Sequence, residues 1–298
     1  MNKIDLSVVI AVKNESKHID ECIESIISQN LDNFEIIIIN DHSDDGTYEK
    51  LIQLKSKSEK LRVYHNDGFG KVSAFNLGVS LSQGRWICLF AGDDIMPSKS
   101  LKMRIEEVDN LDCRNCFCVG ISKIKTISNN NRFNSITIPR RKGRGHFSGQ
   151  CYLLNKNLAD ILFPIPTSLP NEDTWISTFL QYAKNIKQVH NDIICCYYRI
   201  HDGNAIRRNI SFKSYNLLIH KRYKAFEMIL LNLEKYFDQN AKNEIRDLIH
   251  LENLRFNKKM FSILFYKAKI FTKLRFFINS NKFTYYLKMK YFYLFVGL

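Results

Sequence analysis

Two adjacent carboxylates, Asp93 and Asp94, lie just beyond the apolar run Trp86 to Phe90 in the stretch GRWICLFAGDDIMPSKSL, residues 84–101. A buried strand that delivers paired acids to the rim of its sheet presents hard oxygen donors. These suit a divalent cation carrying phosphate oxygens at the carboxyl ends of an open α/β sheet. The same pair also reads as an acidic turn in which one aspartate caps the following helix. Two further acids and two cations stand at comparable positions. Lys13, Asn14 and Glu15 follow the apolar run LSVVIAV, and Asp41 follows FEIIIIN, where it can accept hydrogen bonds from a base or ribose edge. Lys71, beside Gly68 and Gly70, opens a helical segment and adds a cation where a phosphate favours a helix N-terminus. No Walker lysine motif and no G-x-G-x-x-G after the first strand are present, which argues against P-loop and dinucleotide binding.

These residues require a scaffold that brings strand ends to one edge. Residues 6–12, 34–40, 61–66 and 85–90 read as strands, the first a continuous apolar run and the second centred on four isoleucines, as expected of strands buried on both faces. Between them Ile19, Cys22, Ile23, Ile26 and Ile27 fall at helical spacing, and helices are predicted over 46–57 and 71–81. The alternation predicts a parallel, doubly wound sheet with right-handed crossovers. Beyond residue 110 strands are predicted at 116–127, 134–138, 146–154 and 193–201, and a helix from Asn171-Glu172-Asp173 to Tyr182. The segment PRRKGRGH, 139–146, reads as a mobile basic loop. From Ser211 the pattern is helical. The domain organisation expected is therefore an α/β domain over 1–210 and a basic, aromatic-rich helical extension over 211–298.

The chain resembles a family 2 glycosyltransferase of the GT-A fold, of the non-processive bacterial type. The segments that carry the resemblance are SVVIAVKNE (7–15), EIIIINDHSDDGT (35–47), GKVSAFNLGVSLSQGRWI (70–87), AGDDIMP (91–97), NED (171–173) and YYRIHDGNA (197–205). They span about 200 residues. The resemblance implies an α/β fold with a Rossmann-like, mixed but mainly parallel sheet flanked by helices, followed by a C-terminal helical extension. It implies donor contacts from Ala11, Lys13, Glu15, Asp41, Lys71 and Asp93, with Asp41 near the base and Asp93 near the ribose. Asp94 would be a direct ligand of Mn²⁺ or Mg²⁺, and His201 would touch the metal or diphosphate. Asp173 would be the general base. Departures from the family pattern occur at Ala11, Lys13, Asn40 and His42, where the family usually has Pro, an aromatic, Asp and Gly. They leave the fold expectation intact but blur the nucleotide. No Q-x-x-R-W follows NED, which disfavours the processive branch.

The function expected is inverting transfer of a sugar from a nucleotide-sugar, by default a UDP-sugar, to a hydroxyl of a glycan or lipid-linked oligosaccharide in surface polysaccharide assembly. The competing reading is a non-catalytic sugar-nucleotide or polysaccharide-binding module of the same fold. The net charge of +14 is concentrated at one end: residues 251–298 hold ten Lys or Arg against the single acid Glu252, together with 14 of the 37 aromatic residues. This pairing of charge and aromatics is expected to meet the cytoplasmic face of a membrane, and no nucleic-acid motif accompanies it. With no secretory signal and no apolar stretch of spanning length, the expected location is cytoplasmic, peripheral on the inner face of the cell membrane. The eight cysteines read as reduced thiols, with Cys113, Cys116 and Cys118 structural rather than zinc ligands.

Overall fold

The structure, a computed structural model, describes residues 4–109, 116–200 and 210–290. The chain forms two compact units: residues 1–167 with 185–202, and residues 168–184 with 203–298.

The first unit is built on strands β1 (Leu6–Val12), β2 (Phe34–Asn40), β3 (Leu61–His65) and β4 (Trp86–Ala91), all parallel. They alternate with helices α1 (Ile19–Ile27), α2 (Thr47–Lys55) and α3 (Lys71–Ser80). Covering both faces explains the unbroken apolar runs. On β1, Leu6, Val8, Ile10 and Val12 join the core containing Ile19, Cys22, Ile23 and Ile26 of α1. Ile37 and Ile39 of β2 instead pack with Ala74 of α3. α3 approaches the sheet through Gly78, where a Cβ would stand 2.3 Å from Val9 Cγ1.

After α4 (Ser100–Asp109) the sheet becomes mixed. Its order is β3-β2-β1-β4-β7-β5-β6, with β8 pairing β5. β7 (Tyr152–Asn155) lies antiparallel between β4 and β5 (Phe117–Ile127), β6 is the two-residue Thr137–Ile138, and β8 (Ile186–Arg199) runs parallel to β5. Here the sequence expectations need correction. The strand expected over 193–201 begins seven residues earlier, at Ile186, because pairing with β5 from Phe117 onward holds a segment too polar to be read as a strand. Of the strand expected over 146–154, only the end is a strand. Gly149–Cys151 is a tight turn, and the following α5 (Lys156–Leu162) was not anticipated. Asn155 caps α5 by accepting the Leu158 N–H.

The loop expected to be mobile, 139–146, is instead pinned. Buried Lys123 donates to the Arg141 carbonyl at 2.7 Å and pairs with Asp192 at 2.7 Å. Gly143 N donates to Asp192, Gly145 N to His190 Nδ1, and His146 N to the Ser122 carbonyl. A Cβ on Gly145 would stand 2.0 Å from the Ile121 carbonyl oxygen, so glycine is required for this approach.

In the second unit, α6 (Glu172–Tyr182) packs against α7 (Phe212–Leu233), which packs on α8 (Gln239–Phe256). Short helices α9 (Met260–Phe265), α10 (Ile270–Ile278) and α11 (Lys282–Lys290) follow. Phe179 of α6 meets the rings of Tyr236 and Phe237 edge-on. A buried guanidinium, Arg255, organises the helices: it forks onto both oxygens of Glu252 at 2.6 Å and reaches Asn216 and the Asn279 carbonyl. No described helix is long and apolar enough to cross a membrane.

Candidate functional site

The four parallel strands end level with one another. Val12 pairs with Asn40, Ala11 with Ala91, and Asn40 with His65, so the loops after β1, β2, β3 and β4 all leave at one edge. Each loop is tied to its neighbour. The turn after β1 places Asn14 at φ 58°, and its backbone and side chain bond Ser43 and Asp44 at 3.0 Å. Glu15 N donates to Thr47 Oγ1 at 2.8 Å and Ser16 N to Asp45 at 3.0 Å. Burial would raise the Asp45 carboxyl, but hydrogen bonds from Thr47 and Ser16 outweigh it and hold the pKa at about 2.

Asp41 is buried at the end of β2, and both its oxygens are engaged. Oδ1 accepts from Asn66 at 2.7 Å and from Gly70 N at 3.0 Å, while Oδ2 lies 3.1 Å from the same N–H. In this conformation it fixes the loop that starts α3. Gly70, at φ 87°, is the N-cap of that helix, and exposed Lys71 is its first residue, with the ammonium 5.3 Å from the Phe75 ring centre. Beside them His42 stacks on Phe69, centroids 4.5 Å apart and 18° from parallel, and His42 Nε2 lies 2.8 Å from the Gly68 carbonyl. Phe69 is 78% exposed, so an aromatic ring stands open at this edge, beside the start of α3. Phe69, between Gly68 and Gly70, is not among the donor contacts expected from the sequence, and His42 stands there only as a departure from the family pattern.

The acid turn after β4 is the most constrained part of the edge. Gly92 lets it abut the first loop: a Cβ there would stand 2.7 Å from Val12 Cγ1 and 3.3 Å from Glu15 Cγ. Asp94 is fully buried. Its Oδ1 accepts the Arg199 backbone N–H at 2.7 Å, and its Oδ2 accepts from Gln150. Half-buried Asp93 uses its backbone carbonyl, which accepts from Arg199 Nε at 2.8 Å, and the same guanidinium reaches Glu21 at 2.6 Å. Ile95 and Tyr197 exchange backbone hydrogen bonds. Gln150 and Arg199 are thus the partners that motif reading missed. Arg199 lies within the quoted segment YYRIHDGNA, but nothing in the sequence connects Gln150 to Asp94.

The electrostatics follow from this crowding. Burial, then the neighbouring Asp93, push the Asp94 carboxyl up to about 7 despite its hydrogen bonds. Burial raises Glu15 to about 8, helped by Asp93, Asp94 and Asp45. Among the described residues no three His, Cys, Asp or Glu side chains make a ready ligand cage. Half-buried Asp93 offers hard carboxylate oxygens that fit a divalent cation arriving with diphosphate oxygens, the usual mode for Mg²⁺. Fully buried Asp94 would have to exchange its hydrogen bond from Gln150 or Arg199 for the ion. Ala11 and exposed Lys13 flank the start of the first loop. His201 lies outside the described residues. Asp173 is half-buried in the first turn of α6, in the second unit, where the helix dipole favours an anion. Asn171 occupies the N-cap position, and its own side chain makes no cap hydrogen bond.

Residues 7–161 match the sequence profile described as Glycosyl transferase family 2. Glycosyltransferase GlyG of Streptococcus pneumoniae is 31% identical over 108 residues, covering 36% of this chain and 36% of that protein. The uncharacterized glycosyltransferase EpsJ of Bacillus subtilis is 31% identical over 113 residues, covering 37% of this chain and 33% of its own length. The matched stretch thus spans about a third of the length of these curated relatives. In three dimensions the chain is similar to S. aureus TarS 1-349, solved in complex with UDP-GlcNAc. The TM-score is 0.60 and the identity 17%, covering 93% of this chain and 79% of that one. With the profile matched over more than half its length, this chain belongs to glycosyl transferase family 2.

Proposed function

We propose that the protein transfers a sugar from a nucleotide-sugar donor, a UDP-sugar by default, to a hydroxyl of a glycan or lipid-linked acceptor, with inversion at the anomeric carbon. The observation that carries this reading is the acid turn Asp93-Asp94, held by Arg199 and Gln150 at an edge where Glu15 and Lys71 also stand. The UDP-GlcNAc complex of TarS supports the donor class. Phe69 would offer a face for a base, Lys71 and the N-terminus of α3 would offer positive potential to a diphosphate, and Asp93 would accept from a ribose hydroxyl. Asp93 and Asp94, with His201 as a further candidate, would hold Mn²⁺ or Mg²⁺, which supplies charge stabilisation to the leaving diphosphate when bound. Asp173 takes the proton from the attacking hydroxyl. One base and one displacement give inversion.

The test is a transfer assay with UDP-sugars, together with melting curves in UDP with and without Mn²⁺. Asp94→Asn and Asp173→Asn should each lower turnover at least about 100-fold, as expected for loss of charge stabilisation or of the base. Asp173→Asn should keep its nucleotide-induced shift in melting temperature, and Asp94→Asn should lose the metal-dependent part. Wild-type turnover by either variant sinks the assignment. A nucleotide shift without transfer to any acceptor would favour a non-catalytic binding module.

A further inference from the structure

Helices α9, α10 and α11 are two-faced in an unusual sense: each has an apolar side toward its neighbours and a second apolar side toward solvent. Ile263, Phe276 and Tyr285 are buried. On the outward sides stand Phe261, Leu264 and Phe265 of α9, at i, i+3 and i+4. α10 shows Ile270, Phe271, Leu274 and Ile278, and α11 shows Phe283, Tyr286 and Leu287. Phe265 and Phe271 are 87% and 83% exposed. Ten of the fifteen large apolar side chains exposed among the described residues fall within these three helices. Exposed apolar surface on this scale marks an interaction site. Interleaved with it are the exposed cations Lys258, Lys259, Lys267, Lys269, Arg275 and Lys282, and no acid occurs between Asn253 and Lys290.

We propose that α9–α11 are a docking face for an anionic phospholipid bilayer. The helices lie in its interface, with aromatic and aliphatic side chains at the acyl boundary and lysines among the lipid phosphates. Three observations select this occupant. The helices have six, nine and nine residues, about 9–14 Å each, so they lie along a surface and do not span it. Charge complementarity calls for an anionic partner, whereas a second copy would set like-charged faces against each other. Five of the ten outward side chains, Leu264, Ile270, Leu274, Ile278 and Leu287, are aliphatic. They give a base nothing to stack on but, mixed with the five aromatic rings, they suit a lipid interface. The proposal is independent of the transfer reading, because it is tested without turnover.

The experiment is flotation of the full-length protein with vesicles of phosphatidylcholine alone and of phosphatidylcholine mixed with phosphatidylglycerol. Two variants accompany it, Phe265→Ser with Phe271→Ser, and Lys267→Glu with Lys282→Glu. Both alter exposed side chains, and melting curves matching the wild type confirm folding. The expected result is salt-sensitive binding to the anionic vesicles, lowered about tenfold or more by each pair of substitutions. Three results would overturn the proposal. The first is a wild-type protein that stays in the aqueous fraction with both vesicle types. The second is binding that the phenylalanine pair leaves unchanged. The third is a dimer, or a complex with a single-stranded oligonucleotide, that depends on these residues in place of vesicle binding.

Discussion

Glu15 shows how a single carboxyl records the cost of assembling the edge. Its pKa of about 8 means that the native state keeps a proton that the unfolded chain, titrating near 4.5, gives up. Between those values the native state binds more protons than the unfolded one, so stability falls as pH rises through the window. Asp94, at about 7, acts in the same direction. Melting curves recorded across this window without divalent metal should therefore show a falling melting temperature. Glu15→Gln, which cannot ionise, should flatten the fall and melt roughly 2–4 °C above wild type at the alkaline end. A slope unchanged by the substitution would mean that neither burial nor the neighbouring acids raise the Glu15 carboxyl in the folded protein. Asp45 behaves oppositely: with its pKa held near 2, its contribution is lost only as pH falls from 3.8 through that value.

At the scale of elements, sequence legibility divides at α4. β1, β2, β4 and α1 could be read because each carries buried apolar residues at one period: near-continuous for these strands, three-to-four for Ile19, Cys22, Ile23 and Ile26. β8 could not be read in full. Five of the seven residues 186–192 are polar, and the segment is strand only because β5 offers its hydrogen bonds. The pinned loop after β6 was misread for a related reason: its composition suggests mobility, whereas its order comes from Lys123, Asp192 and His190 on other strands. The acids Asp41, Asp93 and Asp94 were legible as strand-end residues, but the partners that orient Asp94 come from 56 and 105 positions away. In the helical unit the corresponding long-range device is Arg255. Removing one partner of a buried, hydrogen-bonded ion pair strands the other charge, so Arg255→Ala should cost about 3–5 kcal/mol in chemical denaturation. A loss below 1 kcal/mol would show that water reaches Glu252.

At the scale of the whole chain, the helix that carries Asp173 belongs with the C-terminal helices. α6 packs on α7, and Phe179 is edged by Tyr236 and Phe237. The matched family segment ends at residue 161, before this helix. A chain cut after Ile210 should therefore retain a nucleotide-dependent rise in melting temperature from the residues of the first unit, yet show no transfer. Retained transfer by that fragment would mean that α6 keeps its place without α7.

The clamp on the acid turn has a consequence for recombining relatives. Asp94 is held by Gln150 and by the backbone of Arg199, and Ile95 exchanges backbone bonds with Tyr197. Residues 93–95, 150 and 197–199 thus form one inherited block scattered through the sequence. A hybrid joined between residues 100 and 145 would take its acids from one parent and their clamp from the other. Joints that keep the three segments together preserve the geometry, so useful crossover points lie before residue 90 or beyond residue 200.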